Sequence, residues 1–346
     1  MLMPQKSSSS NKLYGFTLLR NGVKYDYPFK ESLLSLSPLV ENIYLALDSG
    51  SDSTETEIKK LTCVKIIPST WDMNLKQGAV LSVETNKALT ALRAEHKDGW
   101  GIYLQADEVL HQDDYEIIKR DIERAEASGC DAISFCYLHF WKTHHHMAIA
   151  KNWYPHEIRA IKLNSDIESW GDAQGFRNYK KVFFTEARIF HYGHVRAQDI
   201  YEAKMKDMSA MYDSDGRVSQ YYNPKNRDKK QKCLLYFGTH PQVMKERILR
   251  MKDIWMLEEK PEITIVGNPE KYSPELIKKI AAKKINWVSS AHDSAAVYTE
   301  RSLINQFLKR TCIPAKMKSK HAQNWSQDFL LILQLSEKGV GLRAGE

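Results

Sequence analysis

Residues 100–115, WGIYLQADEVLHQDDY, run a strand straight into a carboxylate pair and then into a helix. Trp100, Ile102, Tyr103 and Leu104 suit a short buried strand, and Asp107 and Glu108 follow it at once. Open α/β sheets receive their ligands at the C-terminal ends of core strands. This pair is therefore the first candidate site: one carboxylate to meet a divalent cation, its neighbour to reach the ion through water or to hold a sugar hydroxyl. Asp113 and Asp114 read as the acidic first turn of the helix that follows, where the helix dipole favours negative charge.

The surrounding pattern alternates strands with helices. Strands are expected at 14–19, 43–47, 61–68, 132–140, 159–161 and 187–196, and helices at 28–39, 76–94 and 115–127. Phe29, Leu33, Leu34 and Leu36 are expected to face inward from the first helix. Such a succession predicts a mostly parallel sheet built on crossover helices. The fold class is α/β: a tail at 1–13, one α/β/α domain over 14–245, and a mainly helical extension over 246–346 that caps the sheet or pairs subunits. Within the extension, helices are expected at 242–259, 273–282 and 298–309, a strand at 262–266 and a loose end at GVGLRAGE.

Composition narrows the class. With 42% hydrophobic and 27% charged residues the chain resembles ordinary soluble globular proteins. No run reaches the length of a membrane span, and MLMPQKSSSSNK has no apolar core of a signal peptide, so a cytoplasmic location is expected. The five scattered cysteines suit a reducing compartment without zinc. The net charge of +7, carried in Lys-rich segments at 225–232 and 316–320, would allow peripheral contact with anionic lipid. Neither G-x-G-x-x-G after the first strand nor G-x-x-x-x-G-K-[ST] is present, which argues against a hydride-transfer cofactor and a P-loop. His144, His145 and His146 are adjacent and cannot all turn to one ion from an extended backbone, so the triplet reads as a partly exposed loop.

Three further clusters carry chemistry. Asp48, at the end of the second strand, opens DSGSDST, where Asp48, Ser49 and Asp52 are placed to meet a ribose or base, with Arg20 at the end of the first strand beside them. Between 166 and 175, Glu168 and Asp172 are interleaved with Trp170 and glycines. Asp172 is the first choice for a general base and Glu168 the second, since an apolar neighbour lifts a carboxylate pKa toward the working pH. In ARIFHYGHVR, His194 reads either as a metal or phosphate contact or as a structural histidine, and Arg196 as a group to neutralise a departing diphosphate.

Taken together, FTLLRNG with DYPFKESLLSLSP, LALDSGSDST, WGIYLQADEVLHQDDY and RIFHYGHVR resemble a family 2 glycosyltransferase of the bacterial surface-polysaccharide type, with the GT-A fold, over residues 14 to about 245. The resemblance implies an inverting, metal-dependent transferase that takes a nucleoside-diphosphate-sugar donor and a glycan or glycolipid acceptor, with Mg²⁺ or Mn²⁺ as cofactor. It assigns Asp48 and Asp52 to the nucleotide, Asp107 to the metal with Glu108 beside it, and His194 to the metal or diphosphate. The turn departs from the family's D-x-D: Gln105 stands where the first acid would be, and no adjacent Glu-Asp pair supplies the base. A homodimer is compatible with this reading and no nucleic-acid partner is expected. Two rivals are a sugar-phosphate nucleotidyltransferase, for which LRNGVK is a thin Gly-rich basic loop, and a basic nucleic-acid-binding or interaction protein, whose aromatics do not alternate with Lys or Arg here.

Overall fold

The computed structural model describes residues 12–144, 146–148, 153–212, 232–235, 239–251, 263–266, 285–288, 332–336 and 339–342. Strands β1 (Leu13–Leu19), β2 (Ile43–Asp48), β3 (Val64–Ser69) and β4 (Trp100–Tyr103) lie parallel in the spatial order β3-β2-β1-β4. Then β5 (Glu108–Leu110), β6 (Ala132–Trp141), β7 (His146–Ala148) and β8 (His156–Lys162) complete the middle of the sheet, with β8 antiparallel to both β4 and β6. A small hairpin of β9 (Glu168–Trp170) and β10 (Gly175–Arg177) stands apart. The long β11 (Val182–His194) runs parallel to β6 and antiparallel to β5.

The helices α1 (Phe29–Leu36), α2 (Thr54–Ile58), α3 (Ala79–Glu95), α4 (Tyr115–Ala127), α5 (Gln198–Tyr212) and α6 (Lys245–Arg250) flank or follow this sheet. Strand periodicity explains the layers, because successive side chains point to opposite faces. Leu13 and Leu19 of β1, Ile43, Leu45 and Leu47 of β2, and Ile102 of β4 join Phe29, Leu33 and Leu36 of α1 and Ile118, Ile122 and Ala125 of α4 in one core. Tyr14, Phe16 and Leu18, Tyr44 and Ala46, and Tyr103 point the other way, onto Ala88, Leu89 and Leu92 of α3. Both sides are covered, so β1 and β2 read as continuous apolar runs. Gly15 is where α1 comes closest: a Cβ there would lie 2.7 Å from Leu36.

The α/β class is as expected, and the order of elements through β4 differs from the expected one by the short α2 between β2 and β3; several details also differ. Leu34 is exposed, because the inward stripe of α1 is Phe29, Leu33 and Leu36 at i, i+4, i+7. The predicted loop at 144–146 is a correction: His144 and His146 are buried, and His146 begins β7. Trp141 is also buried, at the end of β6. Beyond 246 the described residues are α6 and the strands β13 (Ile263–Val266), β14 (Ile285–Val288), β15 (Ile332–Ser336) and β16 (Gly339–Leu342). Of these, β15 and β16 extend the large sheet through β12 (Lys232–Leu235), which pairs with β7. Part of GVGLRAGE is therefore strand. The helices expected at 273–282 and 298–309, like the tail at 1–11, lie outside the described residues. No helix among the described residues is long and apolar enough to cross a membrane.

Candidate active site

A cavity of about 570 Å³ opens at the C-terminal ends of β1 and β4. Arg20, Lys24, Tyr25 and Tyr27 wall it from the segment after β1, and Gln105, Ala106 and Asp107 from the turn after β4. Trp153, Tyr154, Asp172, His191 and His194 add to the lining, and Lys204, Met205, Met208, Met211 and Tyr212 of α5 close it on another side. Sequence-predicted residues Arg20, Asp107, Asp172 and His194 thus share one cavity. Asp48, Ser49, Asp52, Glu108, Glu168 and Arg196 are not part of its lining.

Asp107 is buried at the centre of a set of cations. Lys204 Nζ lies 3.4 Å from its Oδ2 and His191 Nε2 3.8 Å from its Oδ1. Burial pushes this carboxyl up, but the charges of Lys204 and Arg196 outweigh burial and hold it below the usual carboxylate range. Lys204 also donates to the Gly193 carbonyl at 3.1 Å and sits 4.5 Å over the Tyr27 ring. Gly193 is required by this packing, since a Cβ there would lie 2.5 Å from His191 Nε2 and 2.7 Å from Asp107 Oδ2.

Glu108 has a different task from the one expected of it. Its Oε1 and Oε2 accept from Arg159 Nη2 and Nε, each at 2.9 Å, and both side chains are fully buried. Tyr137 Oη donates to Oε1 at 2.7 Å and the Gln105 amide to Oε2 at 3.0 Å, and the guanidinium lies between the Tyr103 and Tyr137 rings, 5.2 Å from each. A carboxylate so engaged is a core ion pair, turned away from any cavity ligand. Gln105, standing in place of an acid, donates from Nε2 to the Ala173 carbonyl at 3.1 Å, while Arg159 Nη1 donates to the Gln174 carbonyl at 2.8 Å. Together they tie the Asp172 loop to the sheet.

Asp172 receives a hydrogen bond from Tyr212 Oη at 3.1 Å. Trp170, the apolar neighbour expected to act on it, is 55% exposed and does not line the cavity. Glu168 is committed to Arg177 at 2.7 Å on the small hairpin. On the nucleotide side, Asp48 accepts from the Gly50 and Trp71 amides at 2.7 and 2.8 Å and lies 3.6 Å from Arg20. Asp52 accepts from the Thr54 amide, starting α2, and Ser49 donates to Glu55. These residues shape the loop, and Arg20 and Ser51 are the ones that reach the cavity. Arg196 donates to the Tyr25 and Gly193 carbonyls and stacks 4.7 Å over Tyr27, behind the cavity wall.

His194 lines the cavity with its ring packed at 4.9 Å from Trp141 and 5.0 Å from Trp153. His191 is the histidine beside Asp107.

At the cavity the donor set for a divalent metal is one carboxylate, Asp107, with His191 Nε2 3.8 Å from it. An ion such as Mg²⁺ is held through one or two carboxylates, with waters and substrate phosphates completing its six oxygens. Here Gln105 and Glu108 are spent on Ala173 and Arg159, and Asp107 already faces an ammonium. No group of three or more potential ligands occurs among the described residues.

No protein-family model matches the chain, and no curated protein matches it. Among solved structures it is similar to S. aureus TarS, at 14% identity and a TM-score of 0.36, over 63% of this chain and 43% of that one. A second structure, S. aureus TarS 1–349, is similar at 14% identity and a TM-score of 0.34, over 61% of this chain and 68% of that one. The chain thus spans less than half the length of the first.

The sequence reading missed α5 altogether. Lys204, Met205, Met208, Met211 and Tyr212 fall at i, i+1, i+4, i+7 and i+8, which is one helical face, and all line the cavity. Asp207 also lines it, ion-paired with Lys24 at 3.0 Å and accepting from Tyr25 Oη. The face could have been found by its spacing. It was hidden because two charged residues, Lys204 and Asp207, interrupt an otherwise methionine-rich stripe.

Proposed function

We propose that this protein transfers a glycosyl group, with inversion, from a nucleoside-diphosphate sugar to a hydroxyl of a glycan or glycolipid. The observation that carries this reading is that a buried cation beside Asp107 and the carboxylate of Asp172 line one cavity at the C-terminal edge of the parallel strands. In the reaction the acceptor oxygen forms a bond to the anomeric carbon, and the bond from that carbon to the diphosphate oxygen breaks. The electron pair of the broken bond stays on the diphosphate, and the hydroxyl proton passes to Asp172. Arg20, Lys24 and Lys204 supply positive charge toward the departing group. Trp71, Trp153 and the Tyr25 ring supply flat faces for base or sugar.

The test is release of nucleoside diphosphate from a panel of UDP-, GDP- and dTDP-sugars with saccharide acceptors, followed by NMR assignment of the new anomeric bond. Release that depends on acceptor, with inverted configuration, is the expected result. Retained configuration would overturn the single displacement, and no release with any donor would overturn the transferase reading.

A further inference from the structure

We propose that Gln174 reads the acceptor: its carboxamide oxygen, set by Glu157, accepts a hydrogen bond from the hydroxyl next to the one that reacts at Asp172, so the preferred acceptor carries two adjacent hydroxyls. This rests on the glycosyl-transfer reading above, with Asp172 as the base. Asp172 and Gln174 both line the cavity, and they leave one turn two residues apart. Ala173 between them is fully buried with φ at 59°, and Asp172 Oδ1 accepts from the Gln174 amide at 3.4 Å. A sugar hydroxyl that reaches Asp172 therefore brings its ring neighbour toward Gln174.

The turn is held by bonds to its backbone. Gln105 Nε2 donates to the Ala173 carbonyl at 3.1 Å and Arg159 Nη1 to the Gln174 carbonyl at 2.8 Å, and Arg159 is itself locked to Glu108. The carboxamide is oriented as well, because Gln174 Nε2 donates at 2.8 Å to Oε1 of Glu157 on β8. A carboxylate only accepts, so the amide nitrogen is the atom turned to Glu157 and the amide oxygen is left for a ligand. Burial pushes the Glu157 carboxyl up, and the Gln174 bond opposes that shift, as a donor to the charged form does. Among the described residues the Gln174 carboxamide makes no other hydrogen bond. A side chain held in this way has little freedom left to lose when an acceptor arrives, and it distinguishes a ring carbon that bears a hydroxyl from one that does not.

The experiment offers the full chain methyl glycosides of glucose, galactose and N-acetylglucosamine, each beside a series lacking one ring hydroxyl at a time, and measures kcat/KM by release of nucleoside diphosphate from UDP-, GDP- and dTDP-sugars. NMR of the product identifies the hydroxyl that reacts. With the wild-type chain, removal of the hydroxyl beside it should lower kcat/KM about 3–10-fold, the scale of one neutral hydrogen bond. Gln174→Met keeps the length of the side chain without its oxygen; it should lower kcat/KM on the parent glycoside by a similar factor and show no further loss on the deoxy analogue. Glu157→Met, which frees the carboxamide to turn, should erase most of the discrimination, and circular dichroism reports the fold of each variant. Losses that multiply in Gln174→Met, or an unchanged rate on the parent glycoside, overturn the contact while leaving the transferase reading intact. Full discrimination in Glu157→Met overturns the orienting role of Glu157. If none of the glycosides receives a sugar from any donor, the transferase reading fails and this proposal with it.

Discussion

His139 Nδ1 and His191 Nδ1 lie 2.9 Å apart, and His139 Nε2 lies 2.7 Å from the Tyr154 carbonyl. A carbonyl only accepts, so His139 carries its proton on Nε2 and offers the lone pair of Nδ1 to His191. His191 must then be protonated on Nδ1, which leaves the lone pair of its Nε2 facing the cavity beside Asp107.

Acid stability follows from this chain. Burial, the first cause in each case, holds His139 well below and His191 below the ordinary imidazole value, and lowers His111 in the same direction. These rings are neutral when folded, whereas the unfolded chain takes up protons below about pH 6.5. Stability is therefore fully present above that pH and falls as pH drops through and below it. The melting temperature should be lower at pH 5.5 than at pH 7.5, and His139→Gln, which keeps a donor for Tyr154 and an acceptor for His191, should lessen the difference. A melting temperature indifferent to pH over this window would contradict the neutral pair.

The Glu108–Arg159 pair gives a prediction about the fold. Glu108→Gln leaves the fully buried Arg159 without its counter-charge and should cost about 3–5 kcal/mol by urea unfolding, as broken buried pairs do. Were Glu108 an exposed ligand at the cavity, the same change would scarcely move the unfolding midpoint.

The strands β1 and β2 were legible because continuous apolar runs such as Leu13–Leu19 and Ile43–Asp48, bounded by turn residues, suit a strand buried on both faces. The role of Glu108 was not. A carboxylate after a strand looks the same in sequence whether it turns to the cavity or, as here, beneath the turn to meet Arg159, fifty-one residues later in the chain. Asp48 stands at the end of β2 and Asp52 in the loop after it, as read, but their oxygens are consumed by backbone amides, a use that depends on the exact course of the loop. Lys204 could not be found from the acidic motif at all, since it arrives on a helix ninety-seven residues away.

For the general base, Asp172→Asn should lower turnover by about 10²–10⁴-fold, the range for losing a positioned proton acceptor, with nucleotide affinity little changed. Glu168→Gln should be mild, because that carboxylate serves Arg177 outside the cavity. Steady-state rates with a saturating acceptor separate the two, and the reverse ranking would exchange their roles.

Gly193→Ala places a methyl where His191 and Asp107 now meet. Overpacking of this kind costs about 1–3 kcal/mol, and here it should spread the pair and weaken nucleotide binding along with stability. Titration calorimetry and thermal melting on the same preparation check it; unaltered affinity would mean that the close approach has no part in the site.

The wall that α5 presents to the cavity, with Met205, Met208 and Met211 facing across to Met73, is made of thioether chains. Methionine is unbranched, polarisable and able to refill irregular gaps. A surface that re-forms around its guest distinguishes by degree, so related acceptors should be ranked along a gradient of rates rather than divided into accepted and refused. The same sulfurs are chemically vulnerable: oxidation to the sulfoxide would turn this compliant face polar and stiffen its preferences.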